Sequence, residues 1–351
     1  MAHSGKKTTW QLAEVHSPHL PGSVEAIVAK DIPYAADPNR LQTLNLYLAH
    51  TPSTKELPGT PVESLPATIK DSLGVPNWQI HIHGGAWRDP DLNASSIEAA
   101  VAHALSALYV GDGRGIFGIA SLNYTVSPFP SVPDWLPTKA YDPKLAKHSD
   151  PAREARHPQH LHDVFSAFAL LRSLGLSDGS FVLTGHSAGA CLALQSTLQS
   201  PAYFGLDIQA IPRPAAIAGL NGLYDLPGLV HDLGATHAQL SDEYARILGQ
   251  AFGCDEELWM QASPEGFDIA GIAERVERGE APKLILLDQS TEDQLVPMSQ
   301  MKRMKAKLEQ VKGLKVVEGK RCRGTHAAPW EEGVMIWDTV RDVLALLNKG
   351  R

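Results

Sequence analysis

The chain has 351 residues, 43% of them apolar and 20% charged, a balance that excludes a disordered protein because such chains lack the apolar surface to offset their entropy. No apolar run approaches the ~20 residues of a bilayer span, and the opening MAHSGKKTTW has two lysines with no apolar stretch behind them, unlike a secretory signal. A net charge of −8, from 31 basic and 39 acidic residues, argues against phosphate-rich or anionic-lipid partners, so neither nucleic acid nor membrane is expected.

In chain order, residues 41–49 (LQTLNLYLA) alternate apolar and polar with the period of a half-buried strand. Residues 51–77, rich in Pro, Ser and Thr, read as a surface excursion, and WQIHIH at 78–83 is the next strand. Ser95 to Val110 is Ala-rich and helical, and Gly115 to Tyr124 is a strand. His157 to Leu174 places Leu161, Val164, Phe165, Phe168 and Leu171 on one helical face. Ser180–Thr184, Ala215–Leu220 and Lys283–Leu287 are apolar strands; Ala188–Gln199 and Trp330–Leu347 are helices. Such alternation predicts the α/β class, with a mostly parallel sheet flanked by helices, here as a single domain over residues 1–351. The stretch 224–280 interrupts it with helices only and reads as a helical cap insertion over the carboxyl edge of the sheet, where such folds hold ligands. Basic residues cluster from Lys302 to Arg323 with apolar residues interleaved, the pattern of an amphipathic helix and its exit. Three widely spaced cysteines, Cys191, Cys254 and Cys322, give no disulfide framework or zinc spacing and point to a reducing, cytoplasmic setting.

The strongest chemical signal is Gly185-His186-Ser187-Ala188-Gly189. A buried strand enters this G-x-S-x-G and an Ala/Leu-rich helix leaves it, the setting of a nucleophile elbow. The sharp turn strains the serine backbone, and a side chain two residues either way would crowd it. His83-Gly84-Gly85-Ala86-Trp87 follows the strand WQIHI, and its glycines let backbone N–H groups approach a substrate. The N–H groups of Gly85, Ala86 and Ala188 are the candidate donors for an oxyanion.

A serine hydroxyl needs a base. On folds with this elbow, the acid and the histidine follow the serine in chain order. Asp293 lies in the turn past the strand 283–287, with Asp288 and Glu292 as rivals for the acid. His326, the only histidine after His237, sits in the last loop before the terminal helix and is the expected base. His186 is read as scaffold, and Cys191, on the helix behind Ser187, as a small core residue. Other patterns fail on context. Gly113-x-Gly115-x-x-Gly118 follows a helix and opens a strand, the reverse of a dinucleotide site. His81-x-His83 has no further ligand at metal spacing, and HPQHLH at 157–162 reads as a polar helix entrance.

These residues together resemble the serine α/β-hydrolases of the hormone-sensitive-lipase type, and more narrowly the fungal kynurenine formamidases (arylformamidases). The likeness is carried by HGGAWRDP at 83–90, SLNYTVSPFP at 121–130, ARHPQHLHD at 155–163 and GHSAGA at 185–190. It continues through GLYDL at 222–226, DQLVP at 293–297 and GTH at 324–326, covering most of the chain from about residue 30. The resemblance implies an α/β-hydrolase fold and hydrolysis of N-formyl-L-kynurenine to L-kynurenine and formate, the second step of tryptophan breakdown towards NAD. It maps the triad onto Ser187, Asp293 and His326 and the oxyanion donors onto Gly85 and Ala86. No cofactor and no metal are expected. The partner is the small-molecule substrate, and a homodimer is left open. Trp87, Tyr124 and Trp330 flank the motifs as candidate walls of an aromatic pocket. A general short-chain carboxylesterase with the same triad and a non-catalytic hydrolase-fold binding protein are the alternatives.

Overall fold

A computed structural model of the protein describes residues 8–65, 76–109, 116–130, 139–209 and 211–349. Its strands are β1 (Gln11–His16), β2 (Ser23–Pro33), β3 (Thr43–Ala49), β4 (Trp78–Ile82), β5 (Gly118–Leu122), β6 (Phe181–His186), β7 (Ala216–Leu220), β8 (Leu284–Asp288) and β9 (Lys315–Glu318). They form one sheet in the order β1-β2-β3-β5-β4-β6-β7-β8-β9. The first three strands pair antiparallel, and β3 joins β5 antiparallel. From β5 to β9 every pairing is parallel. The inner parallel strands are buried along their whole length; β5 to β8 accordingly read in the sequence as short apolar runs, while β4, WQIHI, alternates and buries the polar Gln79 and His81 as well.

The helices in chain order are α1 (Glu98–Tyr109), α2 (Gln159–Ser173), α3 (Ala188–Leu198), α4 (Gly228–His231), α5 (Ser241–Ala251), α6 (Glu256–Ala262), α7 (Ile269–Glu277), α8 (Met298–Leu308), α9 (Ala328–Glu332) and α10 (Val334–Lys349). Alternate residues of a strand feed opposite faces. Ile285 and Leu287 join the cluster with Phe165 and Phe168 of α2, Leu192 of α3 and Met304 of α8. Leu284 and Leu286 join the one with Val101 and Leu105 of α1 and Val340 and Val343 of α10. Two helical layers thus sandwich the sheet. Between Tyr224 and Glu280 lie α4 to α7 and no strand.

Three differences from the sequence reading have physical reasons. The edge strands β1 and β9 carry no apolar run, and β9 is Lys315-Val316-Val317-Glu318 with no fully buried residue, whereas β2, between β1 and β3, holds a short buried run, AIVA at 26–29, that the sequence reading passes over. The terminal helix is two helices, because Gly333 breaks it at φ +74°. A Cβ on Gly333 would lie 2.3 Å from the Ala100 backbone nitrogen of α1, so the break lets two helices pack closely. The Pro-rich excursion is not wholly superficial, since Leu57, Val62 and Leu65 enter the core. Residues 66–75 of that excursion, and Gly113 and Gly115, lie outside the described residues.

Candidate active site

The candidate residues arrive at the carboxyl end of the parallel strands, on the loops after β4, β6 and β8 and on the loop that follows β9. β6 ends in the turn of Ser187, whose backbone has φ +55° and ψ −123°. That strained conformation is held by a hydrogen bond from Ser187 N to Leu220 O (2.9 Å) at the end of β7. The flanking glycines are needed sterically. A Cβ on Gly185 would sit 2.3 Å from Gly189 O, and one on Gly189 would sit 2.1 Å from Ile82 O.

The loop after β4 lies against this turn: a Cβ added to Gly84 would be 3.0 Å from the Ser187 Cβ. Gly85 (φ +98°), Ala86 (φ +48°) and Trp87 (φ +58°) all have left-handed backbone. Among the described residues, no protein carbonyl accepts from the N–H of Gly85 or Ala86. Ala188 opens α3, where the first amides have no helical acceptor. The loop is braced from beneath. His83 Nδ1 donates to Gly84 O (2.8 Å), and its ring stacks on Tyr124 at 4.5 Å. Tyr124 Oη donates to Gly84 O (2.9 Å) and His83 O (3.2 Å).

His326 and Asp293, 33 residues apart, meet through a 2.7 Å hydrogen bond from Nδ1 to Oδ2. The rest of the Asp293 carboxylate is filled: Oδ1 accepts from Leu295 N and Val296 N (2.9 Å each), and Oδ2 also accepts from Gln289 Nε2 (3.0 Å). The rival acids are engaged elsewhere. Asp288 accepts from Arg321 N (2.8 Å) and Glu292 from Gly324 N (2.8 Å). His186 turns its Nε2 to His326 O (2.8 Å), bracing the loop of His326. With Nδ1–H committed to Asp293, the imidazole of His326 has Nε2 free to accept a proton.

Ser187, His326, Gly85 and Ala86 share one cavity of about 320 Å³. Trp330 lines it; Trp87 and Tyr124 do not, which corrects the expectation that all three are pocket walls. The left-handed turn at Trp87 directs its ring inward, edge-on to Phe252 at 5.0 Å, and Tyr124 is fully buried supporting the loop. Reading the sequence for motifs missed much of the outer wall. Leu240, Glu243, Tyr244 and Ile247 line the cavity from α5 and the turn before it. Their spacing of three, four and seven residues was the available signal. Arg88 and Asp89, inside the HGGAWRDP motif, also line it without having been assigned a role.

Burial depresses the basicity of the histidines around this framework. His81, hydrogen-bonded to Thr184 Oγ1 (2.9 Å), is lowered to about 3, His83 to about 4, and His160, against Ser127 Oγ (3.0 Å), to about 3. His186 is also pushed well down, first by burial and then by neighbouring His326. These groups are neutral in the folded protein, whereas in the unfolded chain a histidine takes up a proton below about 6.5. Their contribution is therefore complete above pH 6.5 and is lost as pH falls towards 4 and 3, at roughly 1.4 kcal/mol per pH unit for each histidine. Urea unfolding at pH 7.5 and pH 5.5 should show a markedly lower midpoint in acid. Equal midpoints would mean that the four side chains charge without penalty.

No cluster of three or more His, Cys, Asp or Glu side chains suited to a metal occurs among the described residues. Nor is any helix among them long and apolar enough to cross a membrane.

No protein-family model matches the chain. Curated relatives do. The chain is 36% identical over 261 residues to a kynurenine formamidase-like hydrolase of Fusarium equiseti, covering 73% of this chain and 79% of that one. It is 30% identical to a kynurenine formamidase of Aspergillus versicolor, over 76% of this chain and 87% of the relative. Among solved structures, a truncated carbohydrate esterase from gut microbiota superposes with a TM-score of 0.57 at 17% identity, over 92% of this chain and 95% of that one. Esterase B from Lactobacillus rhamnosis superposes at 0.59 and 15% identity, over 93% and 88%. The structural likeness establishes the α/β-hydrolase fold, and the sequence likeness over most of the chain narrows it: this hydrolase belongs to the kynurenine formamidase family.

Proposed function

We propose that the chain is a serine amidohydrolase that removes the formyl group from N-formyl-L-kynurenine, giving L-kynurenine and formate. The observation that carries the proposal is the 2.7 Å Asp293–His326 pair opening on the same cavity as Ser187 and the Gly85–Ala86 loop, in a chain whose relatives are named kynurenine formamidases. Ser187 Oγ attacks the formyl carbon while His326 Nε2 takes its proton, and Asp293 holds the imidazole and stabilises its charge. The oxyanion is met by N–H groups of Gly85, Ala86 and Ala188, already oriented by the braced loop. His326 then protonates the departing aromatic amine, a better leaving group than an alkyl amine. Water activated by the same histidine releases formate from Ser187. Each step uses groups of the chain itself and water.

In metabolism this reaction would be the second step of tryptophan breakdown towards NAD. A cytoplasmic setting goes with it, supported by three cysteines that form no disulfide.

The main competing reading is a general carboxylesterase on the same triad. A formyl group carries only hydrogen beyond its carbonyl, so a formamidase needs almost no acyl pocket. The large rings of Trp87 and Tyr124, buried under the oxyanion loop, fill the interior there. Each methylene can be worth ~1–3 kcal/mol in a fitted pocket. Measured as kcat/KM on aryl esters of two to eight carbons, acetyl esters should be turned over and octanoyl esters barely. N-formylkynurenine should exceed them all. A specificity constant that rises with chain length, with formylkynurenine untouched, would return the protein to the esterases.

A further inference from the structure

The cavity is mostly apolar, yet three charged carboxylate or guanidinium side chains stand in its wall: Arg88, Asp89 and Glu243. Arg88 and Asp89 are consecutive residues whose N–H groups both donate to Gly85 O (2.9 and 2.8 Å), so the oxyanion loop itself carries them. Each belongs to its own charge cluster. Arg88 pairs with Glu243 and donates to Gln250 Oε1 (3.3 Å), and Glu243 also holds Arg246. Two cations against one anion leave that cluster with an excess of positive charge. Asp89 is held by Lys139 Nζ (2.8 Å), which also reaches Asp91 (3.2 Å). Two anions against one cation leave that cluster with an excess of negative charge.

The Arg88 guanidinium is fixed in place. It lies 3.9 Å over the ring of Phe129, another wall residue, and is buried. Its bonds to Glu243 and Gln250 engage two of its five N–H groups, which leaves donors for a ligand. Arg246 and Asp91, at the outer ends of the two clusters, are exposed to solvent, so what the cavity itself presents is a fixed guanidinium and a fixed carboxylate in an otherwise apolar wall, an arrangement complementary to a ligand that carries both signs of charge.

We infer that Arg88 and Asp89 are the specificity-determining pair that reads a zwitterionic α-amino acid head, Arg88 receiving the substrate carboxylate and Asp89 its ammonium group. The inference rests on the formamidase reading and deepens it. The site then holds the formyl end by backbone amides and the far end by two opposite charges on the same loop. Binding at the far end would set the position of the scissile carbon over Ser187.

The test compares N-formyl-L-kynurenine with N-formyl-2-aminoacetophenone, which keeps the ring, the ketone and the formamide but lacks the amino acid head. Wild-type protein should prefer formylkynurenine, chiefly through KM. Arg88→Met and Asp89→Asn should each lower kcat/KM for formylkynurenine by roughly 30-fold more than for the headless amide, the size of a lost charged hydrogen bond. Arg88→Lys should recover part of the difference. Asp89→Asn, which leaves the Arg88–Glu243 contact in place, serves if the methionine variant does not fold. Equal losses on both substrates, or a wild type that does not distinguish them, would make Arg88 a strut between loop and α5 and overturn the inference while leaving the formamidase reading intact. A wild type that cleaves the headless amide but not formylkynurenine would overturn both.

Discussion

Replacing Ser187 by alanine is expected to lower kcat by about 10⁶, the loss seen when a triad serine is removed from a well-studied hydrolase, while leaving the fold as it is. The substitution keeps the Cβ and removes one oxygen. The bond from residue 187 N to Leu220 O involves only main chain and survives. Alanine meets the same φ of +55° that serine already tolerates, so the strain is common to both proteins. Circular dichroism and melting temperature should match the wild type. A serine-directed phosphonate should form an adduct at Ser187 of the wild type and none with the variant. A variant keeping a tenth of wild-type turnover would exclude Ser187 as the nucleophile.

Asp293→Asn should come second, with a loss of about 10⁴ by analogy with the same change in another triad. The geometry says why an amide cannot substitute. Oδ1 accepts from two backbone N–H groups, Leu295 and Val296, which will hold the amide oxygen of asparagine in that position. Its NH₂ must then face His326 Nδ1 and the NH₂ of Gln289, both of which now donate towards residue 293. The imidazole is driven to the tautomer with hydrogen on Nε2, and a protonated Nε2 cannot accept the serine proton. Asp288→Asn and Glu292→Gln, whose carboxylates serve Arg321 N and Gly324 N, should stay within about tenfold of wild type in kcat, a small loss beside that of a triad member. If Glu292→Gln proved the more damaging change, the acid would have to be reassigned.

The two substitutions also show which parts of the site a sequence can reveal. The serine turn was legible because its requirement is local: two glycines, a strand before and a helix after. The acid was narrowed to the six residues 288–293, with Asp293 preferred and Asp288 and Glu292 as rivals, since three carboxylates in one short stretch differ in what they touch and the sequence does not show that. The central strands β5 to β8 were legible because burial on both faces forces apolar runs, and β4 through its alternation, WQIHI. The edge strands β1 and β9 were not, because one side meets solvent and the sequence there looks like any polar loop; β2 was passed over although its run AIVA at 26–29 is apolar and buried. The outer wall was least legible. Glu243 and Arg88 are 155 residues apart, and nothing in either neighbourhood announces the other. Trp87 and Tyr124 misled for a related reason: an aromatic residue beside a motif can point into a cavity or under it. The left-handed turn that turns Trp87 inward has no signature in its side chain.

The contact of His186 with the carbonyl of His326 has a consequence for how the protein acquires activity. It spans 140 residues, and beside it Asn221 Nδ2 reaches the same carbonyl at 3.3 Å. The serine turn, the end of β7 and the histidine loop are therefore clamped at one point, from three distant stretches of chain. The elements around Ser187 are close in sequence, whereas the histidine of the proposed mechanism joins them only through the docking of the loop at 324–326. Under the proposed mechanism, a molecule in which that loop is undocked would hold the serine without its base.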